Sequence, residues 1–111
     1  MSHIYYFTSK QKEVEGWITD LGFRVRKEVD FDQFRVDLYL SELSMAVEID
    51  GPQHRKVKAT GEWVTEASNR KASKRDKKLL EMLKNGIYHI PVGMEEELFK
   101  VEFKKIASRI S

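Results

Sequence analysis

At 111 residues, with 41% hydrophobic and 34% charged side chains, the chain has the size of one globular domain with a buried core, and its apolar runs are far too short to span a bilayer. Cysteine is absent, which fits a reducing compartment, and no HxxxH or HxH spacing offers a zinc site in its place. The net charge of +2 does not announce a nucleic-acid binder, although the basic residues are clustered along the chain.

In chain order, the opening Met1-Ser2-His3 lacks the basic start and long apolar stretch of a signal peptide. Thr8 and Gln11 form a capping-box pattern ahead of an apolar stripe, Val14, Trp17, Ile18 and Leu21, which predicts a helix over 8–21 stopped by Gly22. Phe23–Val29 reads as a strand. Phe34–Leu40 alternates, with Val36, Leu38 and Leu40 on one face, and Met45–Asp50 alternates again across a four-residue loop, Ser41–Ser44. Gly51-Pro52 ends that strand, and residues 55–65 around Trp63 read as a polar surface loop. A second helix is expected over Ala67–Lys84, a short strand over Ile87–Val92 after Gly86, and a third helix over Met94–Ile110. That last helix has Glu95, Glu96 and Glu97 at its start and Lys104, Lys105 and Arg109 near its end, as the helix dipole favours. The order is αβββαβα, a single-domain α/β fold with a mixed sheet flanked by helices.

The most informative residues lie in FRVDLYLSELSMAVEIDGPQH. If Leu40 pairs with Met45 across the hairpin, Asp37 stands opposite Glu48, with Cβ atoms roughly 4.5–5.5 Å apart, where like charges repel. Such a pair needs a cation, a shared proton or open water. Mg²⁺ takes oxygen ligands and is typically held by one or two carboxylates plus substrate phosphate, so the pair fits phosphodiester chemistry. The competing reading is a solvated acidic hairpin face, and a register slip of one residue would separate the two acids.

Asp76 falls within the apolar stripe Ala72, Leu79, Leu80 and Leu83 of the second helix, and an inward carboxylate demands a partner. It bonds locally with the backbone, Arg75 or Asn69, or faces the strand ends and orients His54 as a base, and the two readings are not exclusive. His3 and His89 gain no comparable support; the latter reads as an outward residue of the last strand.

VDLYL, VEIDGPQH and KRDKKLLEMLKNG together resemble the PD-(D/E)XK nuclease core, and more closely the branch of very-short-patch-repair endonucleases and the phage homing endonucleases called EDxHD. The likeness covers nearly the whole chain. It implies a restriction-endonuclease-like fold and signature positions at Glu13, Asp37, the Glu48–Asp50 stretch, His54 and Asp76. It further implies a metal, Mg²⁺ with Mn²⁺ as substitute, bound by Asp37 and the main-chain carbonyl of Ile49, with Glu48 as a further ligand and His54 activating the attacking water. Asp50 stands where such cores carry a lysine, so His54, Lys56 or Lys77 would have to take that lysine's part. Glu13 competes with Glu15 for the first-helix position and is favoured on alignment.

Arg55, Lys56, Lys58, Arg70, Lys71, Lys74, Arg75, Lys77 and Lys78 crowd into residues 55–78. They are either a solvated face or a set of phosphate contacts giving salt-sensitive, sequence-independent affinity. Trp63 either stacks on bases or covers the core. The expectation is a Mg²⁺-dependent endonuclease acting on double-stranded DNA in an intracellular, bacterial or phage setting, alone or beside a separate recognition domain. The alternatives are a junction-resolving nuclease working as a homodimer and a non-catalytic DNA-binding domain on the same fold.

Overall fold

The computed structural model describes residues 3–51, 57–68 and 72–110, with the side chains of the first helix described from Thr8 onward. The elements are α1 (His3–Asp20), β1 (Arg26–Phe31), β2 (Phe34–Leu40), β3 (Met45–Asp50), β4 (Glu62–Val64), a 3-10 turn (Glu66–Ser68), α2 (Lys74–Leu79), β5 (Ile87–Pro91) and α3 (Glu96–Ile110). The strands form one mixed sheet in the order β1-β2-β3-β5-β4, in which only β3 and β5 run parallel. The expected α/β class and mixed sheet are present. The order differs from αβββαβα by β4, which lies in the segment read as a surface loop.

Helix α1 starts before Thr8, so the Thr8–Gln11 pair is helix interior and not a cap. Its end matches expectation. Gly22 takes φ 92°, its N–H donates to the Thr19 carbonyl at 2.9 Å, and Phe23 N–H reaches back to Ile18 O at 3.3 Å, the crossed bonds of a left-handed C-terminal cap. The first strand is displaced to Arg26–Phe31, beyond the expected Phe23–Val29, and turns at Asp32-Gln33 into β2. The β2–β3 register is the expected one, with Leu40 opposite Met45, Tyr39 opposite Ala46 and Leu38 opposite Val47.

Two apolar layers sandwich the sheet. On one face α1 and α3 bury Leu38, Leu40, Val47, Ile49 and Ile90 against Val14, Ile18, Phe99 and Phe103, with Tyr88 stacked on Phe99 at 5.9 Å and Phe99 on Phe103 at 5.3 Å. On the other, Leu79, Leu80 and Leu83 cover Ala46, Val64 and Ile87. Val36 joins this second layer instead of sharing a layer with Leu38 and Leu40, and Val29, Phe31 and Phe34 pack against the same layer. Trp63 is half-buried against the larger core and donates its indole N–H to Asn85 O at 2.8 Å, so it serves as a core cover. A Cβ at Gly86, which has φ 89°, would sit 2.2 Å from Val64 O; only glycine lets β4 approach that closely.

Helix α2 is much shorter than the expected 67–84. Ser73 is extended, and its hydroxyl accepts the Asp76 N–H at 3.1 Å, starting the helix there. At the other end the bonding tightens to Glu81 N–H on Lys78 O and Met82 N–H on Leu79 O, and the helix dissolves into turns that still bury Leu80 and Leu83.

Candidate functional site

The site lies where β2 and β3 stop exchanging ladder bonds. Beyond the Leu38–Val47 pair, side chains take over the backbone groups. Asp37 N–H donates to Glu48 Oε2 at 2.7 Å, and Ile49 N–H donates to Asp37 Oδ2 at 2.8 Å. Each carboxylate is thereby fixed beside the other by a backbone donor. Asp37 Oδ1 has no hydrogen-bond partner among the described residues.

Both acids are out of balance with their surroundings. Burial and then the adjacent Asp37 charge push Glu48 up to about 7, outweighing the opposite pull of Arg75, whose Nη2 lies 2.7 Å from Glu48 Oε1. Burial likewise raises Asp37, more than the Ile49 N–H and Arg75 lower it, and the charges of Asp50 and Glu28 add to the rise. Glu28, at φ 52° in β1, accepts a hydrogen bond from Gln11 Nε2 at 3.3 Å, so Gln11 is an α1 side chain that reaches this end of the sheet. Glu13 is exposed and pairs with Lys10 at 3.5 Å, while Glu15 pairs with Lys27 at 3.7 Å. Among the described residues neither glutamate is seen in a hydrogen bond or ion pair with Asp37 or Glu48.

A second set of charges adjoins the first. Asp76 is 2% exposed and His89 4% exposed, with His89 Nε2 2.7 Å from Asp76 Oδ2 and Nδ1 3.1 Å from Asp50 Oδ1. Burial alone would hold the imidazole down, but the hydrogen bonds to both carboxylates and their charges push it up to about 9. His89 is therefore an imidazolium at neutral pH, donating to both acids. Arg75 completes the connection, bonding Asp76 Oδ1 at 3.2 Å, Glu48 Oε1 at 2.7 Å and the Arg35 carbonyl at 2.7 Å.

His89 is thus not the outward residue its strand position suggested. β5 is a central strand covered on both faces, where alternation no longer separates inside from outside. Asp76 does pair with Arg75, and the histidine it holds is His89. His54, Arg55, Lys56, Asn69, Arg70 and Lys71 lie outside the described residues, and with them the expected base and part of the basic loop. Lys58 is exposed. Signals for the missed features exist: Ser73-x-x-Asp76 is itself a capping pattern and marks the true start of α2.

Lys74, Arg75, Lys77 and Lys78 line a groove of about 440 Å³ between α2 and the start of β2, together with Phe34, Gln33 and Glu81. Arg75 links this groove to the acid pair. Among the described residues no three acidic or histidine side chains are gathered as a ready-made metal cage. Two adjacent carboxylates, one oxygen of which is unpartnered, nevertheless fit a hard cation that completes its shell with water and substrate phosphate.

The chain matches no protein-family model, no curated protein and no solved structure.

Proposed function

We propose that the domain is a divalent-metal-dependent endonuclease that hydrolyses phosphodiester bonds in DNA. The observation that carries this reading is the Asp37–Glu48 pair: two carboxylates held side by side by backbone donors, both raised by burial, at the open end of a hairpin and linked through Arg75 to a basic groove. Mutual repulsion in a buried place costs stability unless a cation relieves it. Asp37 and Glu48 would hold Mg²⁺ or Mn²⁺, with the Ile49 carbonyl as the main-chain ligand that the resemblance implies. A bound ion of this kind supplies charge stabilisation for the phosphoryl oxygens and a lowered pKa for the attacking water.

The chain's own groups do the rest. Arg75 holds Glu48 and Asp76 in place and keeps a cation beside the site, while the lysines of α2 offer phosphate contacts that align the strand without reading bases. Asp50 and Asp76 are fixed by His89. His54 is the proposed base for the attacking water.

One observation favours a second reading. Arg75 and His89 already counter much of the acidic charge, as they would in a non-catalytic DNA-binding domain. Incubation of supercoiled plasmid with Mg²⁺ or Mn²⁺ separates the two. Conversion to nicked or linear DNA that needs the metal, stops with EDTA and is lost in Asp37→Asn supports the nuclease. DNA binding of the same strength with and without metal, and no cutting by folded protein, supports the binding domain.

A further inference from the structure

We propose that the groove between α2 and the start of β2 takes an unpaired nucleotide, its base lying against Phe34 and its flanking phosphates on the lysines of α2. This deepens the nuclease reading by naming the strand form recognised beside the acid pair, but its own support is the groove.

Lys74, Lys77 and Lys78 are spaced three and four apart, so they share one face of α2, and none has an ion-pair partner among the described residues. Like charges at that spacing repel, and an anion on this face removes the repulsion. The neighbouring cation, Arg75, is committed to Glu48, Asp76 and the Arg35 carbonyl, which holds the wall nearest the acid pair rigid. The groove's carboxylate, Glu81, lies beyond the last helical residue, so phosphate is favoured toward the Arg75 end.

The opposite wall is what selects the strand form. Phe34 is half-buried, packs on the smaller apolar layer, and follows a tight turn in which Asp32 takes φ 59°. A duplex presents phosphates on a convex surface and hides its base faces, so it needs a basic ridge and gains nothing from an apolar concavity. An unpaired base has an open π-face, and every base can stack on an aromatic wall. A concave site of about 440 Å³ with cations on one wall and an aromatic ring on the other therefore matches a nucleotide taken out of a duplex.

The test is fluorescence anisotropy in EDTA with a short labelled single-stranded oligodeoxynucleotide and its duplex, using the whole chain. Single strand should bind about tenfold more tightly than duplex, and Phe34→Leu, which keeps an apolar side chain on the small layer, should lose about tenfold for the single strand while leaving the duplex unchanged. Removing all three lysines, which are exposed and leave the core intact, should lower the slope of log affinity against log salt by about 2. Equal affinity for both strand forms overturns the proposal, as does single-strand binding indifferent to Phe34→Leu, which would leave a plain phosphate site. Because no metal is present, single-strand preference with no plasmid cutting would sink the nuclease reading alone. Cutting with no such preference would sink this inference alone.

Discussion

The two faces of the sheet are built on opposite principles. Under α1 and α3 the contact is apolar and aromatic, with Phe99 and Phe103 fully buried and stacked. Under α2 a smaller apolar patch borders Asp37, Glu48, Asp50 and Asp76, held among Arg75 and His89. The first face is a packing solution that needs no partner. The second buries like charges beside one another, an arrangement that costs stability and is expected where a ligand or reaction makes use of it. The contrast separates the part that holds the fold from the part proposed to act.

The sharpest way to break that contrast is to remove one group from each face. Phe103→Ala should cost about 3–5 kcal/mol through lost packing, at every pH. Asp76→Ala should cost a similar ~3–5 kcal/mol near neutral pH, because it removes the buried carboxylate that the imidazolium and the guanidinium share, leaving His89 with Asp50 alone and Arg75 with Glu48 alone. Urea unfolding at several pH values checks both. An Asp76→Ala variant as stable as the unaltered chain would mean that the charged face is looser than its hydrogen bonds indicate.

Next in size is the response to pH. His89 has its folded pKa raised to about 9 from 6.5, so its contribution is fully present below about pH 6.5 and is lost as pH rises through 9. Glu48, raised to about 7 from 4.5, has the same sign: its cost grows above pH 4.5 and is complete past 7. The urea midpoint should therefore fall from pH 6 to pH 9.5 by the equivalent of roughly 4 kcal/mol. In His89→Gln the part of the fall above pH 7 should disappear, and a flat profile in the unaltered chain would contradict the charged-imidazolium assignment.

A smaller effect sharpens the functional half of the comparison. Asp37→Asn relieves the repulsion on Glu48 while leaving a carbonyl oxygen for the Ile49 N–H. It should raise stability at pH 8 by about 1 kcal/mol while abolishing metal-dependent cutting. Added Mg²⁺ should raise the thermal midpoint of the unaltered chain and not of this variant. Smallest of all, Glu13→Gln should change stability by less than about 0.5 kcal/mol, as for any exposed pair, so loss of cutting without loss of stability would restore a catalytic part to Glu13.

The hairpin was readable in advance because alternation on both strands and a four-residue loop leave one register that keeps the apolar side chains inside, and that register alone put Asp37 beside Glu48. The extent of α2 was not, because its apolar stripe continues through turns that bury Leu80 and Leu83 without being helical. β4 escaped notice because three residues carry no periodicity; its place depends on pairing with β5 and on the bare backbone of Gly86. His89 was missed for a related reason: a centrally placed strand has no outward side, and its polar residue is explained by charges from Asp50 and Asp76, distant in sequence.

The parallel β3–β5 contact also bears on the order in which the fold is expected to form. The hairpin that sets Asp37 against Glu48 joins residues eleven apart and can close early. β4 precedes β5 along the chain, yet β5 is its sheet neighbour, so its pairing waits until the intervening α2 segment has looped round to bring β5 alongside. The acid pair is thus expected to assemble before the His89–Asp50 contact, which joins residues 39 apart. Substitutions in β2 and β3 should accordingly slow folding, whereas those in β4 and at His89 should chiefly hasten unfolding.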